Sequence, residues 1–240
     1  MSPDEVEKRI TPRTKMLCLT SPANPTSCVE SAETLRALAA LARKHDLVVL
    51  ADEIYSRIYY GEGNSAPSFY SVPGMPERTV IINGFSKTYA MDGWRLGWTV
   101  ASEEMTRAIL KVRQYTTVCV NTFIQYGAAE ALSADQSCVD HMVGEFSKRR
   151  TVMLDGLAKI PGLKVAEPKG AFYVFPDIRS FGKSSAEVAD YLLNEHHIAC
   201  VAGSVFGPSG EGHLRLAYSC STEECRKGVD RRRTALSALK

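Results

Sequence analysis

The sequence predicts an α/β protein in which a mostly parallel sheet is followed by a smaller α+β part. Three observations carry that reading. Apolar runs of strand length alternate with longer stretches of helical period. Two of the runs are apolar throughout, as in strands covered on both faces. The style of the alternation then changes at Pro161-Gly162, so the expected domains are 1–150 for the sheet part and 151–240 for the second part.

The elements follow in order. Met16 to Leu19 reads as the first strand, and after a Pro, Asn and Ser-rich turn Leu35, Leu38 and Leu41 recur at helical spacing as far as His45. Leu47-Val48-Val49-Leu50-Ala51 is a continuous apolar run that stops at Asp52-Glu53, and Val80-Ile81-Ile82 is a second that stops at Asn83-Gly84. Ser102, an N-cap followed by Glu103 and Glu104, opens a helix, because its hydroxyl and the two acids suit the free N–H groups there. Further helices are expected from Thr122 to Ala134 and from Asp135 to Ala158. Short strands follow at Leu163 to Ala166 and Ala171 to Phe175. The capping box Ser184-x-x-Glu187 starts a helix reaching about His196. Strands at Ile198 to Ala202 and His213 to Tyr218 come next. Ser221-x-x-Glu224 then opens a terminal helix with Val229, Leu236 and Leu239 on one side.

Composition narrows the function. The 240 residues are 45% hydrophobic, enough for a sizeable core, and 29 basic against 27 acidic residues leave +2, which is no broad field for nucleic acid. The opening Met1-Ser2-Pro3-Asp4-Glu5 lacks a basic and an apolar targeting region, and no apolar run approaches the ~20 residues of a membrane helix. A cytoplasmic protein without membrane partners is expected. Seven scattered cysteines without a C-x-x-C pair read as reduced thiols, and five histidines without an H-E-x-x-H pattern make no metal site. The glycines from Gly203 to Gly212 lack the Lys-Ser/Thr ending of a phosphate-binding loop and precede a strand, so they read as a pocket-rim loop.

Ligands of open α/β sheets collect beyond the carboxyl ends of the strands, which directs attention to the residues after the two apolar runs. Lys87 lies just past one of them. Desolvation and a cationic neighbour lower the pKa of such an amine and make it a nucleophile, although a solvated surface lysine is the ordinary alternative. Its neighbours Ser86 and Arg95 are a hydroxyl and a guanidinium, the pair a phosphate dianion wants. Asp52 follows five apolar residues and needs a cationic partner there, unless it is a simple strand-end solubiliser. Tyr55 could be a packing aromatic. Arg215, inside an apolar strand, needs an anion, and a carboxylate can be gripped by two parallel N–H bonds.

The ordered set Asn24-Pro25-Thr26, Asp52-x-x-Tyr55, Ser86-Lys87, Arg95 and Arg215 resembles the class I and II aminotransferases, fold type I enzymes that use pyridoxal 5′-phosphate (PLP). Five separated elements in order over nearly the whole chain carry the resemblance. It implies a partial large-domain sheet followed by the small domain, and amino-group transfer between an amino acid and a 2-oxo acid in ping-pong order. Lys87 would form the Schiff base and shuttle the proton. Asp52 would keep the pyridine nitrogen protonated, so that the ring accepts electrons. Tyr55 and Asn24 would hydrogen-bond the phenolic oxygen, Ser86 and Arg95 would hold the phosphate, and Arg215 would clamp the substrate α-carboxylate. Phe172, after Gly170-Ala171, resembles the aromatic of the substrate pocket, with a core residue as the alternative. The family also implies a homodimer.

Two other readings use the same residues: a non-catalytic domain acting by association, and a PLP-dependent lyase or synthase of the same fold. The chain departs from the family pattern at Ser27, where glycine is usual, and at Asp92, where threonine is common and whose side chain is expected to point away from Arg95, with a competing ion pair as the alternative. The family's phosphate-binding loop and ring-stacking aromatic have no counterpart in the 240 residues.

Overall fold

The structure is a computed structural model in which residues 1–239 are described. The chain forms two compact units: Met1–Pro22 with Val29–Val139, and Ala23–Cys28 with the chain from Asp140 onward.

The first unit is built on a four-stranded sheet. A short α1 (Pro3–Glu7) precedes β1 (Met16–Thr20), α2 (Ala32–Lys44) and β2 (Val48–Asp52). Then come β3 (Thr79–Gly84), α3 (Phe85–Thr88), β4 (Gly97–Val100), α4 (Glu103–Thr116) and α5 (Thr122–Ser133). Strand order is β1-β2-β3-β4, with the first three parallel and β4 antiparallel to β3. The sheet is therefore mixed.

The helix expected after the first turn is α2, and its period does what amphipathic spacing requires. Leu35, Leu38, Ala39 and Ala42 are buried and join Leu19, Val49 and Ala51 of the sheet in one core cluster. Ser31 caps it, its hydroxyl accepting from Thr34 N at 3.1 Å. Ser102 caps α4 in the same way, accepting from Met105 N at 3.4 Å.

The long helix α6 (Ser137–Leu157) spans the change of unit. The second unit then holds β5 (Tyr173–Val174), α7 (Ser185–His196), β6 (Val201–Ala202), β7 (Leu214–Ala217) and α8 (Thr222–Ala238). Its sheet has the order β5-β7-β6 and is antiparallel throughout. The capping box of α7 is complete, with both the Ser184 and the Glu187 side chains closing on backbone N–H groups.

The strand expected at Leu163 to Ala166 is instead one isolated bridge between Lys164 and Asp177. Pro168 lies just beyond and has no N–H to extend a ladder. The other strands of this unit are shorter than their apolar runs.

Candidate active site

Asp52 is the last residue of β2, the central parallel strand, and its main chain is fixed on both sides. Its register partners are Thr20 and Ile82, and its carbonyl accepts from Ser21 N at 3.1 Å. The carboxylate turns back over the strand end, where Oδ1 accepts from Ile54 N at 3.1 Å. That contact starts a tight turn, closed by Ser56 N donating to the Glu53 carbonyl at 2.9 Å. The turn carries Tyr55, which is buried.

Lys87 comes from the next strand. β3 and β4 approach so closely at the Gly84–Gly97 pair that a Cβ on Gly84 would lie 3.0 Å from the Gly97 Cα, and one on Gly97 would lie 2.8 Å from the Asn83 carbonyl oxygen. Only glycine fits both places. The approach lets Phe85 N donate to the Leu96 carbonyl at 3.3 Å as the chain enters α3. Phe85 is buried, with ring centroids 5.5 Å from Tyr89 and 5.0 Å from Trp98. This anchor leaves Ser86 and Lys87 half-buried. The Lys87 ammonium lies 6.0 Å from the Tyr55 ring centroid, so the amine and the phenol ring face each other past the carboxyl ends of β2 and β3.

Arg95 is held in the left-handed region, φ 54° and ψ 44°, at a cost of about 1–2 kcal/mol for a residue with a side chain. Its Nη1 donates to the Asp92 main-chain carbonyl at 2.6 Å, and this is how the Asp92 neighbour is used. Arg95 lines a cleft of about 530 Å³, together with Trp94, Asn121 and Arg113. One Arg113 nitrogen, Nη1, is buried there without a hydrogen-bond partner.

Two residues with no role in the sequence reading brace this arrangement. Asn83 donates from Nδ2 to Ser56 Oγ at 3.1 Å and accepts at Oδ1 from Gly84 N at 2.7 Å, tying the Tyr55 turn to the strand that delivers Lys87. Glu53 is buried, and its Oε1 accepts from Ser68 Oγ at 2.8 Å and Phe69 N at 2.9 Å. Burial pushes the Glu53 carboxyl above its ordinary range; the two hydrogen bonds offset this in part, and the Asp52 charge adds to it.

A carboxyl raised in the folded state contributes stability at low pH that is lost as pH rises through its folded pKa. Glu53→Gln keeps the accepting oxygen and removes the charge. The variant is therefore expected to be at least as stable as the parent at pH 7, with the difference closing as pH falls through the carboxylate range. Urea unfolding at the two ends of that range checks it; a variant clearly less stable at pH 7 would show the charge to be favourable.

The remaining expected site residues belong to the second unit. Asn24 sits in a loop closed by Ser27 N donating to Ala23 O at 2.8 Å and Ala23 N donating to Cys28 O at 2.9 Å. Ser27 has φ 56°, which explains the usual glycine, and it is fully buried. Its hydroxyl accepts from Tyr173 N at 3.2 Å, so the serine offsets its strain with a bond that glycine lacks.

Arg215 lies in β7, the central strand of its sheet. Nη1 donates to Asn24 Oδ1 at 2.9 Å, and the guanidinium carbon stands 4.8 Å from the Tyr173 ring centroid and 5.1 Å from that of Phe206. Two rings and an amide thus fix its plane. Phe172 stacks on Phe146 at 5.2 Å and meets Tyr173 at 4.7 Å, in an aromatic cluster with the buried Tyr218.

Among the described residues there is no cluster of histidine, cysteine or acidic groups able to hold a metal, and no helix long and apolar enough to cross a membrane.

Solved aminotransferase structures share this fold. The aromatic aminotransferase of Pyrococcus horikoshii is similar with a TM-score of 0.96 at 38% identity, over 100% of this chain and 65% of that one. The aspartate aminotransferase of Thermus thermophilus with maleate is similar at 0.91 and 37%, over 98% and 60%. The family described as aminotransferase class I and II matches residues 1–231, and the chain belongs to it. Aromatic-amino-acid aminotransferase 2 of Thermococcus litoralis is 40% identical over 242 residues, covering 100% of this chain and 62% of the relative. The aspartate aminotransferase of Pyrococcus abyssi is also 40% identical, over 239 residues, covering 99% and 61%. The chain thus spans less than two thirds of the length of these relatives.

Proposed function

We propose that the protein takes part in PLP-dependent transfer of an amino group between an amino acid and a 2-oxo acid, in two half-reactions at one set of residues. The observation that carries this reading is the Lys87 amine facing Tyr55 at 6.0 Å, past the ends of neighbouring parallel strands, of which β2 ends in Asp52. The donor set of the first unit fits PLP: one amine, one carboxylate, one phenol, and a hydroxyl with a guanidinium for a phosphate. When bound, PLP supplies an aldehyde that captures amines and a ring that takes up the electron pair left by a departing α-proton.

The chain's own residues do the rest. Lys87 Nζ would anchor the cofactor and would serve as the base that takes the proton from the substrate α-carbon. The Asp52 carboxylate would pair with the ring nitrogen and favour its protonated state. Tyr55 would hold the phenolic oxygen, a role the family resemblance gives to Asn24 as well, and Ser86 and Arg95 would hold the phosphate. Arg215 takes the substrate α-carboxylate, and the rings of Tyr173 and Phe206 that fix its plane support a bidentate grip. Phe172 borders the substrate.

Self-association is part of the proposal. Val112, Tyr115, Val118, Phe123 and Tyr126 on and between α4 and α5 are each more than half exposed, the kind of apolar surface that association covers. The cytoplasm is the proposed compartment.

The names of the relatives make aspartate and an aromatic amino acid the first donors to try. Given 15N-labelled donor, PLP and a 2-oxo acid, the label is expected in a new amino acid, with each half-reaction proceeding alone. Labelled ammonia or a carbon–carbon cleavage product instead would point to lyase or synthase chemistry. Arg215→Lys is expected to raise KM for the amino donor about 10- to 100-fold with a smaller effect on kcat, since a point charge replaces a planar fork. An unchanged KM would remove Arg215 from the site.

A further inference from the structure

The seven cysteines were expected to be reduced thiols, and all seven are free. Two of them stand in a special relation at the start of α8. Ser221 is the N-cap, its hydroxyl accepting from Glu224 N at 3.2 Å, and its carbonyl accepts from Cys225 N at 3.0 Å. Cys220 is therefore the residue before the cap and Cys225 the fourth residue of the helix. These are the two positions whose side chains meet across a capped helix start in a hydrophobic staple. Here both are thiols, and their sulfurs lie 3.6 Å apart.

We propose that Cys220 and Cys225 form a reversible covalent staple, a dithiol that low-molecular-weight disulfides convert to an intramolecular disulfide. Cys220 is exposed and Cys225 is 2% exposed, so the oxidant reaches Cys220 first. The Cys220 thiolate attacks one sulfur of the small disulfide; that S–S bond breaks and one small thiolate leaves. Cys225 loses its proton to solvent and attacks the Cys220 sulfur, the mixed S–S bond breaks, and the second small thiolate leaves, both small thiolates taking up protons from solvent. Two protein thiols are oxidised, one small disulfide is reduced to two thiols, and no further reactant is needed.

The surroundings suit this order of events. Arg149 and Arg232 act on Cys225 in the direction that favours the thiolate, while burial and the adjoining Cys220 sulfur act against it and win, pushing the thiol up to about 12. The order of attack rests on access, since Cys220 is exposed and Cys225 lies beneath it within 3.6 Å. Arg232 is 8% exposed, and its Nε is buried without a hydrogen-bond partner.

Trypsin cuts after Arg215 and Arg226, so one peptide, Leu216–Arg226, contains both sulfurs. The folded protein is treated with glutathione disulfide, quenched with acid, alkylated, digested and weighed. The expected peptide is two hydrogens lighter than the reduced form, carries no alkyl group and returns to the dialkylated form after dithiothreitol. Closure is expected at least about tenfold faster in the folded chain than in urea, because the fold holds the sulfurs in place. In Cys220→Ser, Cys225 is expected to remain alkylatable. A stable glutathione adduct on Cys220, a disulfide from either residue to another cysteine, or equal closure rates in folded and unfolded chains would each overturn the proposal.

Discussion

Lys87→Ala is expected to abolish covalent retention of PLP and to lower amino-group transfer at least about a thousandfold, since the same amine serves as anchor and as proton carrier. The fold should survive the change. Lys87 lies on a short helix whose position is set by the buried Phe85 and by the Gly84–Gly97 approach, neither of which the variant touches. Thermal unfolding close to that of the parent, together with loss of reducible cofactor, is the expected pair of results. An added primary amine supplied as a surrogate base is expected to restore part of the rate. A variant that retains parental transfer would show that Lys87 is not the base.

Asp52→Asn is expected to lower kcat about 10²- to 10³-fold while leaving the covalent attachment at Lys87 intact. The carboxylate is at the end of β2, where its main chain is fixed by Thr20 and Ile82 and its side chain by Ile54 N. Asparagine keeps that last hydrogen bond through its amide oxygen but offers no charge to a protonated ring nitrogen. The effect is therefore expected in the proton-transfer step, as a larger substrate α-deuterium isotope effect with little change in PLP affinity. Equal kcat in variant and parent would place the ring nitrogen elsewhere.

These two residues were legible because they stand at the ends of the plainest signals in the chain. Continuous apolar runs mark β2 and β3, and polar groups beyond such runs face the ligand side of an α/β sheet. The caps at Ser102, Ser184 and Ser221 were equally legible, since a hydroxyl followed by acids is a local feature decided within one turn. Features set by distant partners were not. β4 is only four residues long, begins with a glycine, and pairs with β3 where Gly84 and Gly97 approach closely. Glu53 carried no role in the sequence; its part depends on Ser68 and Phe69, fifteen and sixteen residues away. Arg215 needed an anion by sequence logic, and its plane is set by Asn24, 191 residues earlier. The Cys220–Cys225 contact lay hidden for the opposite reason: five residues apart, it becomes close only once the cap turns the chain.

The most direct measurement of the central claim is the absorbance spectrum of the protein with added PLP, followed by borohydride reduction and peptide mapping. The account predicts a yellow complex that bleaches on reduction, with the pyridoxyl label on Lys87 in the peptide Thr79–Arg95. A colourless mixture, or a label distributed over exposed lysines and unchanged in Lys87→Ala, would contradict it.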